Sequence, residues 1–203
     1  MVAYCFALSP PVSVEKCIAA IFHWSPALLT VSRLIDAVSQ FMGKLSEYMV
    51  LLCCLISAAN ALIRYSLNYS SNGWLEIQWY LFAFIVVLGA AHTLRMNEHV
   101  RVDLIYGSVS DKARIWIDII GLIVFLIPAC IFLTWLCWPF FLSSYQQHEI
   151  SANAGGLIRW PVKFILVLGF GLLSLQGISE LIKRIAALTG YILIDTKYEK
   201  PLQ

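Results

Sequence analysis

The stretch Trp74–Asp103, WLEIQWYLFAFIVVLGAAHTLRMNEHVRVD, decides how the chain is read. From Trp74 to Leu94 it is largely apolar, with one carboxylate, Glu76, near its start and one histidine, His92, near its end. That is the length a helix needs to cross the roughly 30 Å hydrocarbon core of a bilayer, about 20 residues. It then breaks into a cluster holding Arg95, Glu98, His99, Arg101 and Asp103. A greasy helix followed at once by concentrated charge is the pattern of a membrane span entering water.

The rest of the chain agrees. Of 203 residues 60% are apolar and 13% charged, the latter about half the ~25% usual in soluble domains. Three more stretches qualify as spans: Leu45 to Tyr65, Ile115 to Leu142 and Trp160 to Ile182. The expected fold is therefore an all-α integral membrane protein with four transmembrane helices. The third span is about 42 Å long at 1.5 Å per residue, more than a perpendicular crossing requires. Pro128 near its middle lacks a backbone donor and predicts a kink.

Charge orients the spans. Lys16, Arg33, Lys44, Arg95, Arg101, Lys112, Arg114, Lys183, Arg184, Lys197 and Lys200 fall on one side; Arg64, Arg159 and Lys163 fall on the other. The positive-inside rule then places both termini in the cytoplasm. Trp74, Trp116, Trp138 and Trp160 sit at span ends, where aromatic belts form. Upstream, SRLIDAVSQFMGKLSEY sets Leu34, Ile35, Val38, Phe41, Met42 and Leu45 on one helical face and Arg33, Asp36, Gln40 and Lys44 on the other. This predicts an N-terminal amphipathic helix lying in the inner interface and turning into the first span. Residues 1–31 are a leader, 32–188 the membrane domain and 189–203 a cytoplasmic tail.

The polar residues point away from catalysis. Cys5, Cys17, Cys53, Cys54, Cys130 and Cys137 lack metal-ligand spacing, and the four within spans read as small hydrophobes. His92, His99 and His148 lie at different depths, so no pair can ligate a haem from both faces. No glycine-rich phosphate loop or nucleophile–base pair occurs. Asp118 is expected to complement the start of span three and Glu180 to pair with Lys183 or Arg184, the alternative for both being a proton relay. Arg64 and Glu76 flank the first outer turn, where they either pair with each other or meet a neighbouring subunit. Span four carries small residues at Gly169, Gly171, Ser174, Gly177 and Ser179, which permit close helix approach.

Several of these residues together resemble a known family. Asn60 with Arg64 and Tyr65 closes span one, and Trp74-Leu-Glu76 opens span two. GAAHTLRMNEHVRVD follows, from Gly89 to Asp103, then EISANAGGLIRW from Glu149 to Trp160 and LLSLQG in span four. The chain resembles the small permease subunit of tripartite ATP-independent periplasmic (TRAP) transporters, the DctQ-like family, from about Leu34 to Leu188. HVRVD is the most specific block, and the leader before residue 30 departs from a compact member. The resemblance implies a bacterial inner-membrane protein without catalytic groups or cofactor of its own. It would brace a large membrane subunit that carries the sodium and substrate sites. A periplasmic binding protein would deliver the substrate, an organic acid, to the outer face; nucleic acid has no part. Candidate interface or structural residues are Arg64, Glu76, Arg95, His99, Arg101, Asp103, Glu149, Trp160 and Glu180. The alternative is a membrane anchor or assembly subunit of another complex.

Overall fold

The computed structural model describes residues 26–69, 71–97 and 109–188. Within them the chain forms α1 (Pro26–Leu67), α2 (Asn72–Met96), α3 (Asp111–Gly121), α4 (Ile127–Gln146) and α5 (Trp160–Leu188). A π-helical turn, Leu122–Leu126, joins α3 to α4, so the two run on as one long span. Four helices are thus long and apolar enough to cross a membrane. No strand occurs among the described residues; Ile150 and Ile158 form an isolated β-type bridge. The first 25 residues, the tail from 189 onward and the block holding His99, Arg101 and Asp103 lie outside the described residues.

The helix α5 is the hub. It packs on α1, α2, α3 and α4, whereas α1 pairs with α2 and the long third span leans on α5. The close approach of α2 and α5 depends on Gly169. A methyl group there would overlap Val87 Cγ1 and stand 2.9 Å from the Val87 carbonyl oxygen. At Gly177 it would lie 2.7 Å from Leu126 Cδ2, where α5 meets the π-turn. Gly171, of the same small-residue run, faces open space.

The helix ends have local causes. Ser71 caps α2 by accepting from the Gly73 N–H at 3.3 Å. Asn97 stops it in the left-handed region, φ 63°, with its own N–H bonded to the Leu94 carbonyl at 3.1 Å. The expected kink at Pro128 is realised as the π-turn: the Ile127 N–H reaches back to Leu122 O, one residue further than in an α-helix. The widened turn gives room where the proline ring would otherwise crowd the preceding turn.

The separate interfacial helix expected before span one is not a separate element. Residues 26 to 67 form one helix of 42 residues, about 63 Å long, twice the hydrocarbon thickness. The reason is a seam that runs unbroken along it. Ser32, Ser39, Ser46, Cys53 and Asn60 recur every seven residues, interleaved with Ile35, Met42, Met49, Ile56 and Ile63. Such a 3.5-residue repeat keeps one stripe of a helix against its neighbours. Ser32, Ser39 and Ser46 are buried, and the interleaved residues are half-buried. The apolar face seen in the sequence is correspondingly split: Leu34, Val38 and Phe41 turn outward, Leu34 64% and Phe41 61% exposed, while Ile35, Met42 and Leu45 stay half-buried. The serine seam makes the helix contact.

Candidate functional site

Two polar clusters tie the bundle, one at each end. At the end holding the 68–71 and 147–159 loops, the centre is Glu76, buried in the first turns of α2. Its carboxylate accepts from Ser151 Oγ, from Asn153 Nδ2 at 2.8 Å and from the Leu157 N–H at 2.7 Å. These donors come from a hairpin-like loop closed by Ser151 N to Leu157 O and Arg159 N to Glu149 O, both 2.9 Å. Gly155 turns it with φ 72°, a conformation that suits glycine. Tyr80 Oη donates to the Ile158 carbonyl at 3.2 Å. A carboxylate on span two thus organises the loop between spans three and four.

The same loop is held from the other side by Glu149, which pairs with Lys163 and, at 3.5 Å, with Arg159. The Lys163 hydrogen bond, with help from Arg159, holds the Glu149 carboxyl below its ordinary value. Trp160 packs edge-on against Tyr145, centroids 5.6 Å apart, and Phe141 meets Phe164 at 5.0 Å. These rings fasten α4 to the start of α5. Among the described residues no ion pair joins Arg64 to Glu76. Arg64 is exposed at the end of α1, and the cation that acts on Glu76 is Arg159. Of the two sequence expectations for this turn, the Arg64–Glu76 bridge is therefore replaced by a carboxylate–loop contact. Three polar partners from one loop saturate the Glu76 oxygens more completely than one arginine on a frayed helix end could.

At the opposite end the centre is Gln176, wholly buried in α5. Its Oε1 accepts from Ser39 Oγ at 2.7 Å; its Nε2 donates to Asp36 Oδ1 at 2.9 Å and to Glu180 Oε1 at 3.1 Å. Ser179 Oγ shares a hydrogen bond with Ser32 Oγ at 2.7 Å and donates to Asp36 Oδ1 at 2.9 Å. Lys183 closes the cluster on Asp36, 3.1 Å, and on Glu180. The expected Glu180–Lys183 pair is present, and it belongs to a larger network that docks the first half of α1 on α5. Arg184 pairs with Asp118 and reaches Asn97 Oδ1 at 3.2 Å, so one guanidinium links α5 to the ends of α2 and α3. Asp118, expected to complement the start of span three, lies two turns inside the helix that begins at Asp111 and serves a neighbouring helix instead. Arg95 is half-buried, with Nη1 lacking a hydrogen-bond partner among the described residues.

Sequence reasoning missed Gln176, Ser151, Asn153 and the three seam serines. The heptad spacing of Ser32, Ser39 and Ser46 was the available signal. Among the described residues no three His, Cys, Asp or Glu side chains are grouped to hold a metal ion.

Glu76, Glu149, Asp36, Glu180, Lys183, Asp118 and Arg184 each join helix to helix or helix to loop. Comparison with known families gives that architecture a place. The family model for tripartite ATP-independent periplasmic transporters, DctQ component, matches residues 53–187, well over half of the chain. The chain belongs to the DctQ family. No curated protein and no solved structure matches it. This DctQ chain is accordingly a membrane component of a tripartite transporter, a family of transporter parts rather than enzymes. The match takes in both walls of the Glu76 loop cluster. It leaves out residues 26–52, so the serine seam of α1 lies before the matched region.

Proposed function

We propose that this DctQ chain is the small inner-membrane subunit that braces the large subunit of a sodium-coupled TRAP transporter taking up an organic acid. The observation that carries the reading is how the ionisable residues of the spans are used. Asp36, Glu180, Lys183, Asp118 and Arg184 are engaged in fixing helices to one another. Ionisable groups in pumps and transporters usually mark ion pathways; these five are structural ties. A rigid four-span block suits a scaffold on which a moving partner can lean. The charge asymmetry of the sequence supports both termini in the cytoplasm, with the Glu76 and Glu149 loop cluster on the outer face. There it would meet the substrate-binding protein.

The test is reconstitution. The chain alone in liposomes should transport nothing under an inward sodium gradient. With the large subunit and the binding protein it should support uptake of a carboxylate substrate that stops when sodium is replaced by potassium. Uptake by the isolated chain would overturn the scaffold reading.

A further inference from the structure

A groove of about 430 Å³ runs between α1 and α2, lined by residues that include Ser46, Glu47, Val50, Val86, His92 and Thr93. Both walls are membrane spans. Glu47 lies about 27 Å along α1 from Tyr65, and His92 about 27 Å along α2 from Trp74, so both stand at the inner edge of the hydrocarbon core. His92 packs flat on Gly43, where a methyl group would collide with its ring. Its Nδ1 is buried and, among the described residues, has no hydrogen-bond partner. Glu47 is exposed and, among the described residues, forms no ion pair; Lys44, one turn away on the same helix, does not reach it. The Ser46 and Thr93 hydroxyls donate to their own helices, to Met42 O at 2.9 Å and Gly89 O at 3.1 Å, which leaves their oxygens as acceptors.

The groove therefore presents a carboxylate and hydroxyl oxygens at membrane depth and, among the described residues, no lysine or arginine in its lining. A carboxylate so placed is costly until a cation meets it. The apolar strip beside it continues toward the loop end through Leu51, Leu55, Trp79 and Phe82, each more than half exposed. An occupant that covers the strip and supplies a cation at its inner end is a spanning helix bearing lysine or arginine. A phospholipid fits less well, because its phosphate would sit beside the Glu47 carboxylate with no lysine or arginine among the described lining residues to meet it.

We propose that this groove seats a transmembrane helix of the large transporter subunit, anchored by a lysine or arginine of that helix on Glu47. The inference rests on the functional reading above and adds the contact face. The test places the photoreactive residue p-benzoylphenylalanine at position 50 or 86 in the groove, or at 132 on α4 as a distant exposed site. Each full-length chain is expressed with the large subunit and binding protein and irradiated in native membranes. Positions 50 and 86 should capture the large subunit and position 132 should not. In the same assay Glu47→Lys, which sets like charges together, should cut the captured fraction roughly tenfold, the equivalent of about 1.4 kcal/mol, and Glu47→Asp should largely restore it. Capture of lipid alone or of a second copy from the groove overturns the proposal, as does Glu47→Lys without effect. Capture from 132 but not from 50 or 86 overturns it while leaving the bracing role intact. No capture at any position, with no co-purification of the large subunit, removes both.

Discussion

Gln176→Met is the sharpest perturbation of the bundle. Methionine keeps the length and approximate volume of glutamine but removes its donor and its acceptor. Three hydrogen bonds disappear: the one from Ser39 and those to Asp36 and Glu180. In membrane bundles such bonds average about 0.6 and reach about 1.7 kcal/mol each, so the expected loss is roughly 2–5 kcal/mol in a site that water does not refill. The wholly buried position supports the upper half of that range, because Ser39 is left without its acceptor. The measurement is reversible unfolding of the purified chain in mixed micelles, followed by circular dichroism. Ser39→Ala and the double variant complete a thermodynamic cycle, in which the Ser39–Gln176 coupling should be about 0.6–1.7 kcal/mol. Limited proteolysis near Arg33 should accelerate in Gln176→Met, since α1 loses its hold on α5. A stability change under about 0.5 kcal/mol, within the scatter of ordinary surface substitutions, with unchanged proteolysis would refute the claim that this cluster docks α1.

Other outcomes follow from the same structure. A reporter active only in the cytoplasm should work when fused after Gln203 or within residues 111–114, and fail at Asn72 or Asn153; activity at Asn153 would sink the four-span orientation. Gly169→Val should push α2 from α5 through Val87 and destabilise the bundle by about 1–3 kcal/mol, read as a lowered unfolding midpoint, whereas Gly171→Val should be nearly silent. Glu149 has its folded pKa held below the ordinary 4.5, chiefly by Lys163. Its contribution is therefore fully present above pH 4.5 and lost as pH falls through the lower folded value. Melting curves should show Glu149→Gln less stable than the parent at neutral pH and converging with it in acid; an equal gap at all pH values would discount the Glu149–Lys163 pair. Arg101→Lys and Asp103→Asn should each lower recovery of the assembled transporter without impairing membrane insertion. If both variants assemble like the parent, that block serves topology alone.

Much of this protein follows from local sums along the chain. Four spans and the charge asymmetry are each legible because a helix satisfies its own backbone in lipid, and apolar length sets where such helices lie. Trp160 at a span start and Glu180 one turn from Lys183 are likewise short-range features, and the structure places both as the spacing implies. The partners of Glu76, Asp36 and Gln176 are different in kind. Ser151 is 75 positions from Glu76, and Ser39 is 137 from Gln176. No periodicity reports which helix will lie beside which, because in a bilayer every apolar face is equally comfortable against lipid. The choice falls to small and polar groups that find partners only when the helices are assembled. That is why Arg64, adjacent in sequence to the turn, loses Glu76 to a distant loop. It is also why the serine seam of α1, with Ile35 and Met42 interleaved, became the contact along one long helix that the sequence read as two.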